Sequence, residues 1–361
     1  MRMTLRVHGD RGAVAVMFAL MVTGVLGLGV LMVDVGMVYT EGRQLQNGAE
    51  NAALAVAKSC ASSTGCAEDA GDDLADANAS DGRSDVELVC GTAPLPAGGC
   101  PTSGERARFG CGPVVDTAPY VQVQTRSQRA DGAHIAPNAF IKVLDPGYTG
   151  QVRACARAAY GRPSGLTGEL PLAMSECEFQ YWKGLFGLVS TPYPSAAEAV
   201  LYFHATGDQG PSNCPARNTA NNMDTPGGFG WLLTAAGTCA IATTVSGDAQ
   251  VDPGNNTPCP ADAFAGMWKQ TVNVPVYSKI YKDPVTGKTM YDIVDYGAFY
   301  LSGYKLGGNS AYERASATLG GVPCGNPDRC ISGFFTTETV PAAGPLLPGP
   351  GYGTTAIKVT G

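Results

Sequence analysis

The amino-acid sequence predicts an N-terminal transmembrane helix continuing into an amphipathic stalk, then an extracytoplasmic, β-rich (α+β), disulfide-stapled region. Three observations predict it. Ala13–Val33 is a run of 21 residues without a charge. The chain carries 12 Cys, spread from Cys60 to Cys330. Its 48 Gly and 25 Pro make up about a fifth of the 361 residues, against roughly 12% in ordinary usage, while charged residues reach only 15%, under the usual ~25%. Turn-forming composition with many β-branched and aromatic residues favours strands. The net charge of −7 and the absence of a Lys/Arg cluster exclude nucleic acid as a partner.

The apolar run AVAVMFALMVTGVLGLGVLMV is long enough, at ~1.5 Å per residue, for a helix to span a hydrocarbon core of ~30 Å. Arg2, Arg6 and Arg11 precede it, and Asp34 and Glu41 follow. Basic residues stay on the cytoplasmic side. Residues 1–12 are therefore expected in the cytoplasm, residues 13–33 in the lipid bilayer and the bulk of the chain outside, in a single-pass protein of the cell membrane. A cleaved secretory signal has an apolar core of about 7–15 residues and is the weaker reading. Within the span Ala15, Ala19, Thr23 and Gly27 recur every four residues, a small-residue stripe on which a second helix can pack closely.

Residues 34–58 read as a stalk helix. Val38, Leu45, Ala49, Ala52 and Val56 share one helical face, with Glu41, Arg43, Gln44, Asn47, Glu50 and Asn51 opposite. The apolar face is expected to dock on the chain's own outer region.

Several residues in this stretch carry a resemblance. Arg11-Gly12-Ala13 opens it, Val33-Asp34-Val35-Gly36 closes the apolar span, and Tyr39 follows. Leu45-Gln46-Asn47 then begins an Ala-rich helix. In this order over nearly 50 residues the sequence resembles the N-terminal module of the TadE/TadG-like proteins of Flp/Tad (tight adherence) pilus assembly. LPLAMSECEF (170–179), PGGFGWL (226–232), VNVPVYSKI (272–280) and CISGFF (330–335) are similar to the outer region of TadG-like proteins of actinobacterial type. TadE-type pseudopilins carry Glu five residues past their cleavage Gly, where this chain has Met17. The resemblance thus implies the uncleaved, TadG-like branch. It further implies a non-enzymatic structural component whose partners are pilus-assembly proteins or pilin. No D-x-S-x-S metal motif occurs, so no metal-dependent adhesion site is inferred.

Beyond the stalk, residues 59–161 and 166–361 are expected to form two units, joined by Arg162–Gly165 as linker. Six cysteines fall in the first (Cys60, Cys66, Cys90, Cys100, Cys111, Cys155) and six in the second (Cys177, Cys214, Cys239, Cys259, Cys324, Cys330). All twelve are disulfide candidates, which requires an oxidising compartment. Ala67–Gly112 reads as an Asp-, Gly- and Pro-rich loop stretch. Strands are expected at Tyr120–Ser127, Ala139–Leu144 and Gln151–Tyr160. Val121 and Val123 alternate with Gln122 and Gln124 as in a half-buried strand. Thr271–Lys282 and Thr289–Leu306 form the clearest hairpin, turning at Asp283–Gly287, and Thr355–Thr360 reads as a final strand.

Chemistry is sparse. No H-E-x-x-H, Walker loop, G-x-S-x-G or S-x-x-K is present, and the only histidines are His8, His134 and His204. The sequence therefore offers no catalytic or metal-ligating set, no cofactor and no small-molecule substrate. Asp72, Asp73, Asp76, Asp81 and Asp85 read as a solvated loop, Asp252–Asn256 as a turn, and Phe229 and Trp231 as core. A cell-surface ligand-binding protein or adhesin on the same anchor is the alternative function.

Overall fold

The computed structural model describes residues 11–62, 66–92, 95, 99–104, 110–113, 118–134, 150–167, 170–189, 198–203, 229–234, 239, 241–252, 259, 261–306, 309–312, 329–349 and 351–361. Helix α1 (Arg11–Ser62) is unbroken over 52 residues, about 78 Å at 1.5 Å per residue. No Pro interrupts it. The expected span and stalk are therefore one element. A 3₁₀ turn (Glu68–Gly71) leads into the short helix α2 (Asp72–Ala77). Two further helices among the described residues are α3 (Glu176–Phe186) and α4 (Ala261–Met267).

The strands among the described residues are β1 (Ser84–Gly91), β2 (Tyr120–Ser127), β3 (Arg153–Pro163), β4 (Gly165–Thr167), β5 (Leu172–Ser175), β6 (Ala199–Tyr202), β7 (Phe229–Trp231), β8 (Ala242–Thr244), β9 (Asp248–Gln250), β10 (Thr271–Lys282), β11 (Thr289–Leu306), β12 (Asn309–Tyr312), β13 (Cys330–Thr336), β14 (Glu338–Pro341), β15 (Leu346–Leu347) and β16 (Thr354–Val359). They form two main sheets. The first runs β1-β2-β3-β16-β14 with β15 on β3; the second runs β6-β13-β11-β10-β5-β7 with β9 and β12 on β11. β4 and β8 pair separately.

Sheet membership does not follow chain order. β14, β15 and β16 lie in the stretch assigned by sequence to a second unit, yet they complete the first sheet. β16 pairs antiparallel with β3 from Ala356↔Gly161 to Val359↔Ala158. A long-range pairing of this kind has no local signal, because each strand carries only its own alternation. Arg162–Gly165, read as a linker, is itself built into the strands. β3 runs through Pro163, β4 starts at Gly165, and Ser164 N donates to Pro345 O at 3.3 Å.

The β10–β11 hairpin has the expected boundaries and pairs from Thr271↔Tyr300 to Lys282↔Thr289, with register shifts at Val276/Tyr277 and Tyr277/Lys279. Asp283 Oδ1 accepts from the Val285 and Thr286 amides at 2.7 and 3.2 Å, and Gly287 supplies φ +68°. The second sheet holds the larger core, in which Trp231, Phe179, Phe229, Phe264, Phe299 and Ile331 are buried. The expected strand Ala139–Leu144, His204, Cys214 and Cys324 lie outside the described residues.

Ala67–Gly112 is more ordered than a loop stretch. It contains the 3₁₀ turn, α2 and β1. The acidic residues there are correspondingly not all on a loop: Asp72, Asp73 and Asp76 sit on α2, and Asp85 on β1. The charges at Asp85 and Glu87 mask the strand pattern in the sequence. Arg126 answers Asp85 from β2, and Arg153 Nε lies 3.1 Å from Glu87 Oε2 from β3.

Candidate membrane and assembly module

Helix α1 divides by environment. From Val14 to Tyr39 its large apolar side chains face outward, with Phe18, Leu20 and Met32 all about two-thirds or more exposed. It is the one helix among the described residues long and apolar enough to cross a membrane, a candidate span. Ala15, Ala19, Thr23 and Gly27 are exposed along it, and Thr23 Oγ1 donates back to Ala19 O at 2.8 Å. A Cβ built on Gly24, Gly27, Gly29 or Gly36 meets nothing within 4 Å.

From Leu45 the same helix becomes a core element. Leu45, Ala49, Ala52, Ala53, Val56, Ala57 and Cys60 are buried. From Ala49 on, their partners are Val121 and Val123 of β2 and Ala156, Ala158 and Tyr160 of β3. Four of the seven are Ala, so the helix axis can lie close to the sheet, where a larger side chain would force it away. Thr125 Oγ1 donates to Leu45 O at 3.0 Å, and Gln46 Nε2 donates to Cys155 O at 3.2 Å. The 3₁₀ turn closes against the helix at Gly71, where an added Cβ would stand 2.8 Å from Ala52 Cβ. The apolar face read from the sequence thus docks on the chain's own first sheet.

The opposite face of that sheet is polar and nevertheless buried. Gln122 and Gln124 are 3% and 2% exposed, so β2 is covered on both faces rather than half-buried. Arg157 organises this layer. Its guanidinium donates to Gln122 Oε1 at 2.7 Å and to the Gly112 and Pro113 carbonyls at 2.9 and 3.1 Å, and it lies 5.2 Å over the Tyr120 ring. Disulfides Cys60–Cys66, Cys90–Cys100 and Cys111–Cys155 hold the surrounding segments to α1, β1 and β3. Cys239 pairs with Cys259, and Cys177 and Cys330 are disulfide-bonded as well.

Among the described residues the other titratable groups do not assemble a reaction centre. His134 Nε2 is 3.8 Å from Asp85 and its Nδ1 is 3.3 Å from Ser127 O, which ties the segment after β2 to the strand edge. No group of three or more His, Cys, Asp or Glu that could hold a metal occurs among the described residues. Phe229 and Trp231 are core residues of β7.

Four polar residues of consequence are not singled out by the sequence. Arg162 of β3 reaches Asp295 of β11, a fully buried carboxylate, at 3.2 Å. Glu178, in the first turn of α3, is 1% exposed, and its Oε2 has no hydrogen-bond partner among the described residues. Burial pushes its carboxyl up to about 8. The one legible signal for Glu178 is its place beside Phe179 and four residues before Trp182, on the buried side of an amphipathic helix. Arg157 gives no such signal.

A helix that is outward and apolar for its first half, then packed on a sheet for its second, coincides with one family unit. Residues 12–59 match the family model of the TadE/G-like Flp pilus-assembly proteins (Tad). The match begins one residue after the start of α1 and ends beside Cys60, so the matched segment covers nearly all of α1, candidate span and docked face together. No curated protein and no solved structure matches the chain.

Proposed function

We propose that the protein is a membrane-anchored, non-enzymatic structural component of Flp/Tad pilus assembly. The observation that carries this reading is the Tad domain at residues 12–59, which coincides with α1. In this reading the Val14–Val33 half lies in the bilayer, where hydrocarbon covers side chains that the fold leaves exposed. Arg11 ahead of the span and the disulfides behind it support a cytoplasmic N-terminus and an oxidising compartment for everything after Asp34. The small face at Ala15, Ala19, Thr23 and Gly27 packs on a neighbouring transmembrane helix, and the sheets present the surface that meets pilin or other assembly proteins.

The test is deletion of the gene in its native host, with surface pili counted by electron microscopy beside a complemented strain. Loss of pili restored by complementation is expected. Unchanged pili would remove the protein from assembly and leave a surface binder on the same anchor. Protease added to intact spheroplasts checks the orientation: digestion past the stalk is expected, and full protection reverses it.

A further inference from the structure

Helix α1 has two unlike flanks above the candidate span. On one, α2 and the 3₁₀ turn pack against Gly48 and Ala52, on the β1 side of the sheet. On the other, Leu54 and Lys58 face the far edge of the same sheet, where β14 is the terminal strand. Between them lies an open groove of about 440 Å3, lined by Leu54, Val340, Ala342 and Ile357 and bordered by Lys58 and Lys358. The groove exists because α1 covers β2 and β3 and reaches β16 but stops short of β14, the last strand of the sheet.

The first flank is complementary to the second. Glu68, Asp69, Asp72, Asp73 and Asp76 fall within nine residues, and no Lys or Arg lies between Lys58 and Arg83. Leu74, at the centre of this ridge, is 42% exposed. An apolar side chain beside the exposed Asp72 and Asp73 thus faces outward on one edge, and an open apolar groove edged by Lys58 and Lys358 lies on the other. The ridge is also electrostatically crowded: after desolvation, Asp69, Asp76, Asp73 and Asp85 each raise the Asp72 carboxyl. Cations brought against it relieve that repulsion.

We propose that the groove receives the acidic ridge of a second copy of this chain, Leu74 entering between Leu54 and Val340 while Asp72 and Asp73 meet Lys58 and Lys358. Ridge and groove are different surfaces, so the contact is heterologous and each added copy leaves one ridge and one groove open. The result is a side-by-side row of α1 helices rather than a closed dimer. This goes beyond the pilus-assembly reading and does not depend on it.

A photoreactive benzoylphenylalanine in place of Leu74, in the full chain in nanodiscs carrying several copies, tests the contact. Illumination is expected to give an intermolecular ladder, with the attachment mapped by mass spectrometry to Thr339–Ala342 or Ile357–Val359. Asp72→Lys/Asp73→Lys should cut the yield at least fivefold. Mixing that chain with a Lys58→Glu/Lys358→Glu chain should restore a crosslink between the two, since both charge signs are exchanged. Absence of intermolecular product, attachment elsewhere, or yields indifferent to charge reversal would overturn the proposal. Position 74 is exposed, so the probe reports on the contact even where a charge-reversed chain fails to fold.

Discussion

At the scale of the residue, Glu178 sits in an environment opposed to what its type prefers. It sits in the first turn of α3, where the helix dipole favours a negative charge, yet it is 1% exposed among aromatic side chains. Desolvation outweighs the dipole and carries its carboxyl to about 8 from 4.5. Between those values the folded chain keeps a proton that the unfolded chain has released. Stability therefore falls as pH rises from about 4.5 to about 8 and is level above, by up to roughly 1.4 kcal/mol per pH unit. Asp295, raised by burial, adds to the fall with the same sign. Glu178→Gln keeps the shape and removes the titration. Thermal melts at pH 5, 6.5 and 8 should show a shallower decline for the variant and a gain of several degrees at pH 8. Parallel curves for the two proteins would show that Glu178 is ionised in the fold.

At the scale of the element, α1 shows how one helix serves two solvents. Its first half is apolar on every face, and its second is apolar along a stripe of small residues that fits a sheet. Ala53 is fully buried between α1 and the sheet, so Ala53→Leu must push the helix outward and should cost about 1–3 kcal/mol in chemical unfolding. A substitution of Asn51 by Leu, on the exposed face, should cost under about 0.5 kcal/mol. Equal effects at the two positions would mean that α1 is not held against β2 and β3. The Cys111–Cys155 bridge acts on the same packing from the other side of the sheet. It closes a separation of 44 residues, a constraint worth about 4 kcal/mol on the chain-entropy account.

At the scale of the whole molecule, the returning C-terminal segment and a partly buried ion pair join the two sheets. β13 leaves the second sheet and β14 enters the first after a single residue. Gly353, at φ +110°, lets the chain pass 2.3 Å (from an added Cβ) to Thr336 O, an approach closed to other residues. Arg162 of β3 and Asp295 of β11 bridge the sheets alongside. Arg162→Met strands a buried carboxylate and should destabilise by about 3–5 kcal/mol. Adding Asp295→Asn should recover most of the loss. No recovery would place the cost in lost Arg162 packing instead.

The sequence by itself determined the elements whose signal is local. Ala13–Val33 has one chemistry throughout, Leu45–Val56 has one helical face, and Thr271–Leu306 has two strands around a Pro/Gly turn. Composition set the β-rich class, and the ordered motifs from Arg11 to Ala53 carried the Tad resemblance. Tertiary structure alone decided where β14–β16 pair, that β2 is buried on both faces, that Arg162 reaches Asp295, and that α1 leaves a groove beside it. Each of these joins residues far apart in the chain. Their energies arise from burial and charge pairing between segments, which a window of ten or twenty residues does not contain. Short charged elements such as α2 and β1 escaped for a related reason. Their carboxylates read as solvent-facing until Arg126 and Arg153 stand opposite them.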